Sequence, residues 1–152
     1  MGTLGKAAGV AGAFVAADSR VIECMVQRAR SYIFTTAASP IMAATLIESV
    51  RCIEAADEQR THLQGLIQIL RSGLANSQWS LLPSDTAIQP ILIGDNTQTL
   101  RVAAALLEQG LWVPAIRPPT VPQGTARLRV SLSAAHTEAH VRSLVDALKA
   151  LT

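Results

Sequence analysis

The order of the periodic segments in the second half of the chain most constrains its fold. Residues 88–93 form a short apolar run that predicts a strand, and Pro90 favours an edge position because proline cannot donate to a ladder. A helical period follows and ends at Gly110, and residues 127–132 alternate polar and apolar side chains, as in a half-buried strand. With a short strand over 112–116 and a final helix, this order predicts a small α+β layer.

The sequence also predicts two further helices and the start of the last one. Asp18 or Ser19 caps a predicted helix that ends near Arg30, and Thr137 caps the last helix. A long helix is predicted to run without interruption over 40–74, because apolar side chains recur there at steps of three and four. A helix of that length can connect two subdomains.

The composition indicates a chain that forms a core: of 152 residues, 49% are hydrophobic and 16% are charged. A net charge of +2 and an aromatic content of 3% argue against a nucleic-acid partner. No apolar run is long enough to span a membrane, and Met1 leads into Gly and Lys without a signal-peptide pattern, so a cytoplasmic location is predicted. Cys24 and Cys52 lie in helical patterns, which predicts buried free thiols and no metal site.

Two glycines precede a lysine near the start of the chain. Residues 2–6 read Gly-Thr-Leu-Gly-Lys and lead into 9–17, an apolar run that predicts a strand buried on both faces. We expect a lysine on a tight turn beside such a strand to be partly desolvated, which favours a neutral amine that can attack a carbonyl. The alternative for Lys6 is a solvated loop residue, and the glycine spacing does not match a phosphate-binding P-loop.

Arg117 stands between a predicted strand end and a proline-rich loop. A guanidinium held in this way suits two-point binding of a carboxylate, because the prolines limit the conformations of the loop. The alternatives are an ordinary surface arginine and, for Thr120 in the same loop, an ordinary loop residue.

Five stretches together carry a resemblance to a known family. They are residues 2–7 (GTLGKA), 12–15 (GAFV), 33–36 (IFTT) before Pro40, 87–96 (AIQPILIGDN) and 115–129 (AIRPPTVPQGTARLR). In these stretches the chain resembles the α-oxoamine synthases, which are pyridoxal-5′-phosphate (PLP) enzymes of the aspartate aminotransferase fold. The resemblance implies an α/β chain that is a fragment of a fold-type I PLP-dependent transferase.

The same resemblance implies a division of the chain and a set of cofactor contacts. Residues 1–40 would end the large PLP-binding domain, 41–75 would form a connecting helix, and 76–152 would form an α+β small domain. Lys6 matches the lysine that links to PLP and moves the substrate's α-proton, and Thr3 matches a contact to the cofactor phosphate.

Residues from a second subunit are implied as well. Thr35 and Thr36 match a turn that reaches the phosphate bound by the neighbouring subunit, which implies a homodimer. Arg117 matches the arginine that receives the amino-acid carboxylate, and Thr120 lies where the substrate pocket closes. Stretches 87–96 and 115–129 look most like the member of the family that acts in biotin synthesis. Its substrates would be L-alanine and a pimeloyl thioester of coenzyme A or of a carrier protein.

Full members of the family carry a cofactor-binding half before the lysine, with a histidine that stacks on the pyridine ring and an aspartate that pairs with its nitrogen. Lys6 is near the start of this chain, so we expect it to correspond to the C-terminal part of such an enzyme. Two alternatives stay open. One is a non-catalytic truncated product. The other is a member that uses glycine, such as aminolevulinate synthase or 2-amino-3-ketobutyrate CoA ligase.

Overall fold

The computed structural model describes residues 1–151 and divides the chain into two compact units. We call them the N-terminal unit, Met1–Asp57, and the C-terminal unit, Glu58–Thr152. Among residues 1–151, no helix combines the length and the apolar character needed to cross a membrane.

The N-terminal unit consists of a short hairpin and three helices: β1 (Gly2–Thr3), β2 (Ala13–Phe14), α1 (Ser19–Arg28), α2 (Arg30–Ile33) and α3 (Pro40–Glu54). β1 and β2 pair antiparallel. The predicted buried strand over 9–17 is wrong, because only β2 is extended and both of its residues are exposed. Gly9 and Gly12 have φ angles of 66° and 104°, a left-handed conformation that interrupts strand pairing.

Helix α1 begins where the sequence predicts. The Asp18 carboxylate accepts a hydrogen bond from the Arg20 backbone N–H at 3.0 Å, which satisfies one of the unpaired donors of the first turn. The apolar side of the helix is open, with Val21 and Met25 exposed. Cys24 on this helix and Cys52 on α3 are exposed thiols, so the prediction that they are buried is wrong.

The C-terminal unit contains four strands and three helices, the first of which begins at Asp57, the last residue of the N-terminal unit. The elements are α4 (Asp57–Leu74), β3 (Ser80–Leu81), β4 (Ile88–Gly94), α5 (Asn96–Glu108), β5 (Ala115–Ile116), β6 (Ala126–Ser131) and α6 (Glu138–Ala150). The strands form one antiparallel sheet in the order β3-β4-β6-β5. Side chains from α4, α5, α6 and the sheet form one buried apolar cluster that includes Leu70, Leu106, Leu128 and Leu148. The chain is therefore α/β, as predicted.

The predicted continuous helix over 40–74 is two helices. After α3 the backbone N–H groups of Ala55 and Ala56 donate to Arg51 O and Ile53 O, which closes the helix. The residues around the break are polar or small, so no apolar stripe holds a continuous helix together there. Two acidic residues at the start of α4 favour a new N-terminus through the helix dipole.

Pro90 lies on an interior strand, so the edge prediction is wrong. β4 pairs with β3 on one side and β6 on the other. β3 ends at Leu81, opposite Ile91, and the N–H of the next residue, Leu82, donates to Pro90 O at 3.0 Å. Proline cannot return the bond, and Arg71 Nη1 donates to Leu82 O instead at 3.3 Å. A side chain from α4 thus replaces the missing backbone donor.

Other boundaries in the C-terminal unit agree with the sequence. The buried residues of β6 alternate with more exposed ones. Gly110, with φ at 78°, follows the end of α5. Thr137 caps α6 in a capping box in which its side chain accepts from His140 N. The strand predicted over 112–116 is shorter and consists of Ala115–Ile116.

Candidate functional site

Lys6 lies in the loop that joins β1 to β2, residues 4–12, which we call the lysine loop. The loop is closed by backbone hydrogen bonds from Val10 N to Leu4 O at 3.0 Å and from Gly9 N to Lys6 O at 2.9 Å. The lysine side chain is exposed, so residues 1–151 do not bury it as the sequence predicted. The loop therefore presents an accessible amine on a closed turn.

A contact from α3 holds this loop. The carbonyl of Ala8, two residues after the lysine, accepts a hydrogen bond from Ser49 Oγ at 2.7 Å. Ala8 is 8% exposed and is the single buried residue of the N-terminal unit. No local pattern in the sequence assigns a role to Ser49, because its partner is 41 positions away and helix periodicity does not predict such a contact.

Thr3 lies in β1 on the same hairpin as Lys6. Its backbone pairs with Ala13, whereas its side chain is exposed and makes no hydrogen bond among residues 1–151. The hydroxyl is therefore available to a ligand, and the structure places Thr3 and Lys6 within one small element.

Thr35 and Thr36 lie in the segment between α2 and α3, and both are exposed. Thr35 Oγ1 donates weakly to Thr36 O at 3.4 Å. At the following helix start Ser39 makes no side-chain capping bond and Pro40 occupies the first turn. The first turn of α3 therefore keeps backbone donors that no side-chain cap occupies, close in sequence to two exposed hydroxyls.

Arg117 and Thr120 share one turn of the C-terminal unit. Arg117 follows β5, and its carbonyl accepts from Thr120 N at 3.0 Å. Both side chains are exposed, and the guanidinium makes no hydrogen bond or ion pair within the described residues 1–151. Three other arginines are also exposed without a side-chain hydrogen bond or ion pair among residues 1–151, namely Arg28, Arg101 and Arg129. The distinguishing feature of Arg117 is therefore its position between a strand end and a closed proline turn.

An open depression of about 520 Å³ lies beside this turn. Its lining combines the start of α5 with the proline-rich loop: Gly94, Asp95, Asn96, Pro118, Gln123 and Gly124. Gly94 has a φ of 92°, and a Cβ there would lie 3.3 Å from Gly124 O. Both the backbone angle and the close approach favour glycine, a role that the sequence alone did not assign.

The predicted site residues thus form two sets. Lys6, Thr3, Thr35 and Thr36 belong to the N-terminal unit, and Arg117 and Thr120 belong to the C-terminal unit. In the part of the chain that the structure describes, no three His, Cys, Asp or Glu side chains group as metal ligands.

The set in the N-terminal unit fits PLP in its chemistry. The cofactor carries an aldehyde, which reacts with a primary amine, and a phosphate, which accepts hydrogen bonds from hydroxyl groups. Lys6 supplies an exposed amine, and Thr3 and Thr36 supply exposed hydroxyls. These side chains have no competing hydrogen bond among residues 1–151, so all are available to a ligand.

The model of the aminotransferase class I and II family matches residues 1–148. An 8-amino-7-oxononanoate synthase from Herminiimonas arsenicoxydans is 64% identical over 152 residues, which are 99% of this chain and 39% of the relative. The chain thus spans about two fifths of the length of that relative.

Solved structures agree with the family match. A serine palmitoyltransferase with PLP bound as an internal aldimine superposes with a TM-score of 0.88 at 34% identity, over 98% of this chain and 38% of the other. An 8-amino-7-oxononanoate synthase from Francisella tularensis superposes with a TM-score of 0.86 at 27% identity, over 98% and 44%. With its sequence and its fold in agreement, the chain belongs to the aminotransferase class I and II family.

Proposed function

We propose that this chain supplies the C-terminal part of an 8-amino-7-oxononanoate synthase, a PLP-dependent acyltransferase of biotin synthesis. The observation that carries the proposal is the exposed Lys6 amine on a closed loop that α3 holds by a hydrogen bond. The 64% identity to a synthase over 99% of the chain supports the choice within the family.

The proposal assigns the cofactor contacts to the N-terminal unit. Lys6 would hold the cofactor through its amine, and Thr3 would donate its hydroxyl to the phosphate. Thr35 and Thr36 would donate to the phosphate held by a second subunit, which makes the proposed enzyme a homodimer. When bound, PLP supplies a ring that withdraws electrons from the substrate's α-carbon.

The proposed substrate-binding residues, Arg117 and Thr120, belong to the C-terminal unit. Arg117 binds the carboxylate of L-alanine, because a planar guanidinium offers two parallel donors to two carboxylate oxygens. Thr120 lies on the same turn and borders the pocket that receives the acyl group. When its amine is not linked to the cofactor, Lys6 would accept the α-proton of the amino acid and later return a proton to the product.

The overall reaction joins the pimeloyl group of a thioester to alanine. A carbon–carbon bond forms, the thiol of coenzyme A or a carrier protein leaves, and the alanine carboxylate departs as carbon dioxide. The product is 8-amino-7-oxononanoate. A glycine-using member of the family would perform the same steps on a smaller amino acid.

Borohydride trapping tests the proposal directly. The 152-residue chain is incubated with PLP, and the link between the aldehyde carbon and the amine nitrogen is reduced, after loss of water, by the added hydride. We expect peptide mapping to find the label on Lys6 well ahead of Lys149, because Lys6 lies on the same hairpin as the exposed Thr3 hydroxyl that is proposed to bind the phosphate. Lys6→Ala should remove this selective label.

Lys149 is a control within the same molecule, since it is also an exposed lysine and lies on α6. Equal labelling of the two lysines, even after the N-terminal part of a homologous synthase is added, would contradict the proposal. Selective labelling followed by release of carbon dioxide from alanine but not from glycine would establish the amino-acid preference.

A further inference from the structure

We infer that Ser49 is a positioning residue that holds the lysine loop and thereby sets the location of the Lys6 amine. The inference rests on the proposed role of Lys6 and adds a residue from a different element to it. Its basis is the bond of 2.7 Å from Ser49 Oγ to Ala8 O.

The bond lies at the one place where the N-terminal unit is buried. Ala8 is 8% exposed, whereas its neighbours Ala7 and Gly9 are exposed. The backbone hydrogen bonds that close the lysine loop do not include a donor to the Ala8 carbonyl. A buried carbonyl that accepts no hydrogen bond destabilises the folded state. Ser49 therefore satisfies the carbonyl and fixes the inner side of the loop to α3.

The loop needs such a restraint because it is rich in glycine. Gly5, Gly9 and Gly12 all lie within it, and the last two adopt left-handed backbone angles. Glycine permits many conformations, so a loop of this composition is not confined by local sterics alone. A restraint two residues after Lys6 limits the volume that the amine explores.

Helix α3 also connects Ser49 to the segment of Thr35 and Thr36, which are proposed to bind the phosphate of a second subunit. Its N-terminus directly follows the segment that carries Thr35 and Thr36, and Ser49 lies farther along the same helix. A helix is a rigid spacer, so the bond from Ser49 relates the lysine loop to that segment through one element.

The same helix provides a matched control. Thr45 Oγ1 donates to Ile41 O at 2.8 Å, a bond within α3 that involves no residue of the lysine loop. Ser49→Thr keeps the hydroxyl and adds a methyl group, and Ser49→Val has the shape of Ser49→Thr with a methyl group in place of the hydroxyl. Thr45→Val likewise exchanges a hydroxyl for a methyl group, at a side chain that bonds within α3.

Hydrogen exchange of the 152-residue chain without PLP tests the restraint itself. We expect Ser49→Val to increase exchange of the lysine-loop amides of Gly9 and Val10 about tenfold, with wild-type exchange in Ser49→Thr and Thr45→Val. Unchanged exchange in Ser49→Val would overturn the inference. Equal acceleration throughout α1 would overturn it too, because Ser49 would then stabilise the unit as a whole.

Borohydride trapping tests the consequence for Lys6. We expect the ratio of label on Lys6 to label on Lys149 to fall several-fold in Ser49→Val and to be restored in Ser49→Thr. A ratio unaffected by Ser49→Val would overturn the positioning role. A wild-type ratio near one would count against the proposed function, whereas the exchange experiment would still decide whether Ser49 holds the loop.

Discussion

The two units differ in how far they bury their apolar side chains. In the C-terminal unit, α4, α5, α6 and the sheet enclose one continuous core, with Leu70, Leu106 and Leu128 fully buried. In the N-terminal unit Ala8 is the single buried residue, while Phe34 is 74% exposed and other large apolar side chains are also exposed. Both units nevertheless contain amphipathic helices.

The difference shows that an apolar stripe on a helix is not buried unless another element packs against it. An amphipathic helix buries its stripe where a second layer faces it, and the four-stranded sheet provides that layer in the C-terminal unit. The two-residue strands β1 and β2 provide too little area to cover α1 and α3. The N-terminal unit must therefore contribute far less folding free energy than the C-terminal unit.

Core truncation gives the largest expected contrast between the units. Leu128→Ala removes a fully buried side chain from β6 and should lower the unfolding free energy of the C-terminal unit by about 3 kcal/mol. Ile47→Ala, at a position that is 57% exposed in α3, should leave that transition unchanged. The measurement is urea unfolding followed by tryptophan fluorescence, since Trp79 and Trp112 both lie in the C-terminal unit.

Trp79 is the useful reporter because its indole Nε1 donates to Leu148 O at 2.8 Å inside the core. A shift in Ile47→Ala as large as that in Leu128→Ala would mean that the two units unfold as one cooperative structure. The two units would then not differ in their contribution to the folding free energy as their burial predicts.

A smaller effect is expected from the polar support of β4. Arg71 Nη1 donates to Gln89 Oε1 at 2.7 Å as well as to Leu82 O, and Gln89 is fully buried. Arg71→Met keeps most of the stem but leaves both acceptors without this donor, so we expect a loss of about 2 kcal/mol in the same urea experiment. Arg101→Met is the control, because Arg101 is exposed and makes no hydrogen bond or ion pair among residues 1–151. Equal effects of the two substitutions would show that the Arg71 contacts add nothing.

Helix caps should give the smallest contrast. Thr137→Ala removes the cap of α6 and should destabilise the C-terminal unit by about 1 kcal/mol. Asp18→Ala removes the matching cap of α1 and should not move the tryptophan transition, because α1 has no part in the C-terminal core. A shift with Asp18→Ala would reveal energetic coupling that the burial pattern does not predict.

The site residues are predicted from the resemblance of short motifs to a known family, and the structure shows the exposure and the hydrogen bonds of these residues. The sequence placed Lys6 on a glycine turn, and a closed loop is present there, but the expected burial of the lysine is not. It could not identify Ser49, because a contact across 41 positions leaves no local pattern. The roles of Thr3, Thr35, Thr36, Arg117 and Thr120 stay predictions, whereas the accessibility of their side chains is a property of the structure.

Local rules were sufficient wherever a feature depends on residues close in sequence. The caps of α1 and α6, the glycine after α5 and the alternation of β6 follow from capping, from backbone angles and from the two-residue period of a strand. The family motifs belong to this class too, since each is a short contiguous stretch.

Tertiary structure decided the features that depend on partners far away in sequence. Pro90 occupies an interior strand because Arg71, from another element, supplies the donor that proline lacks. The apolar pattern over 9–17 predicts a buried strand, yet no facing layer among the described residues covers it. A pattern specifies which side chains favour burial, but only the packing of distant elements determines whether water is removed from them.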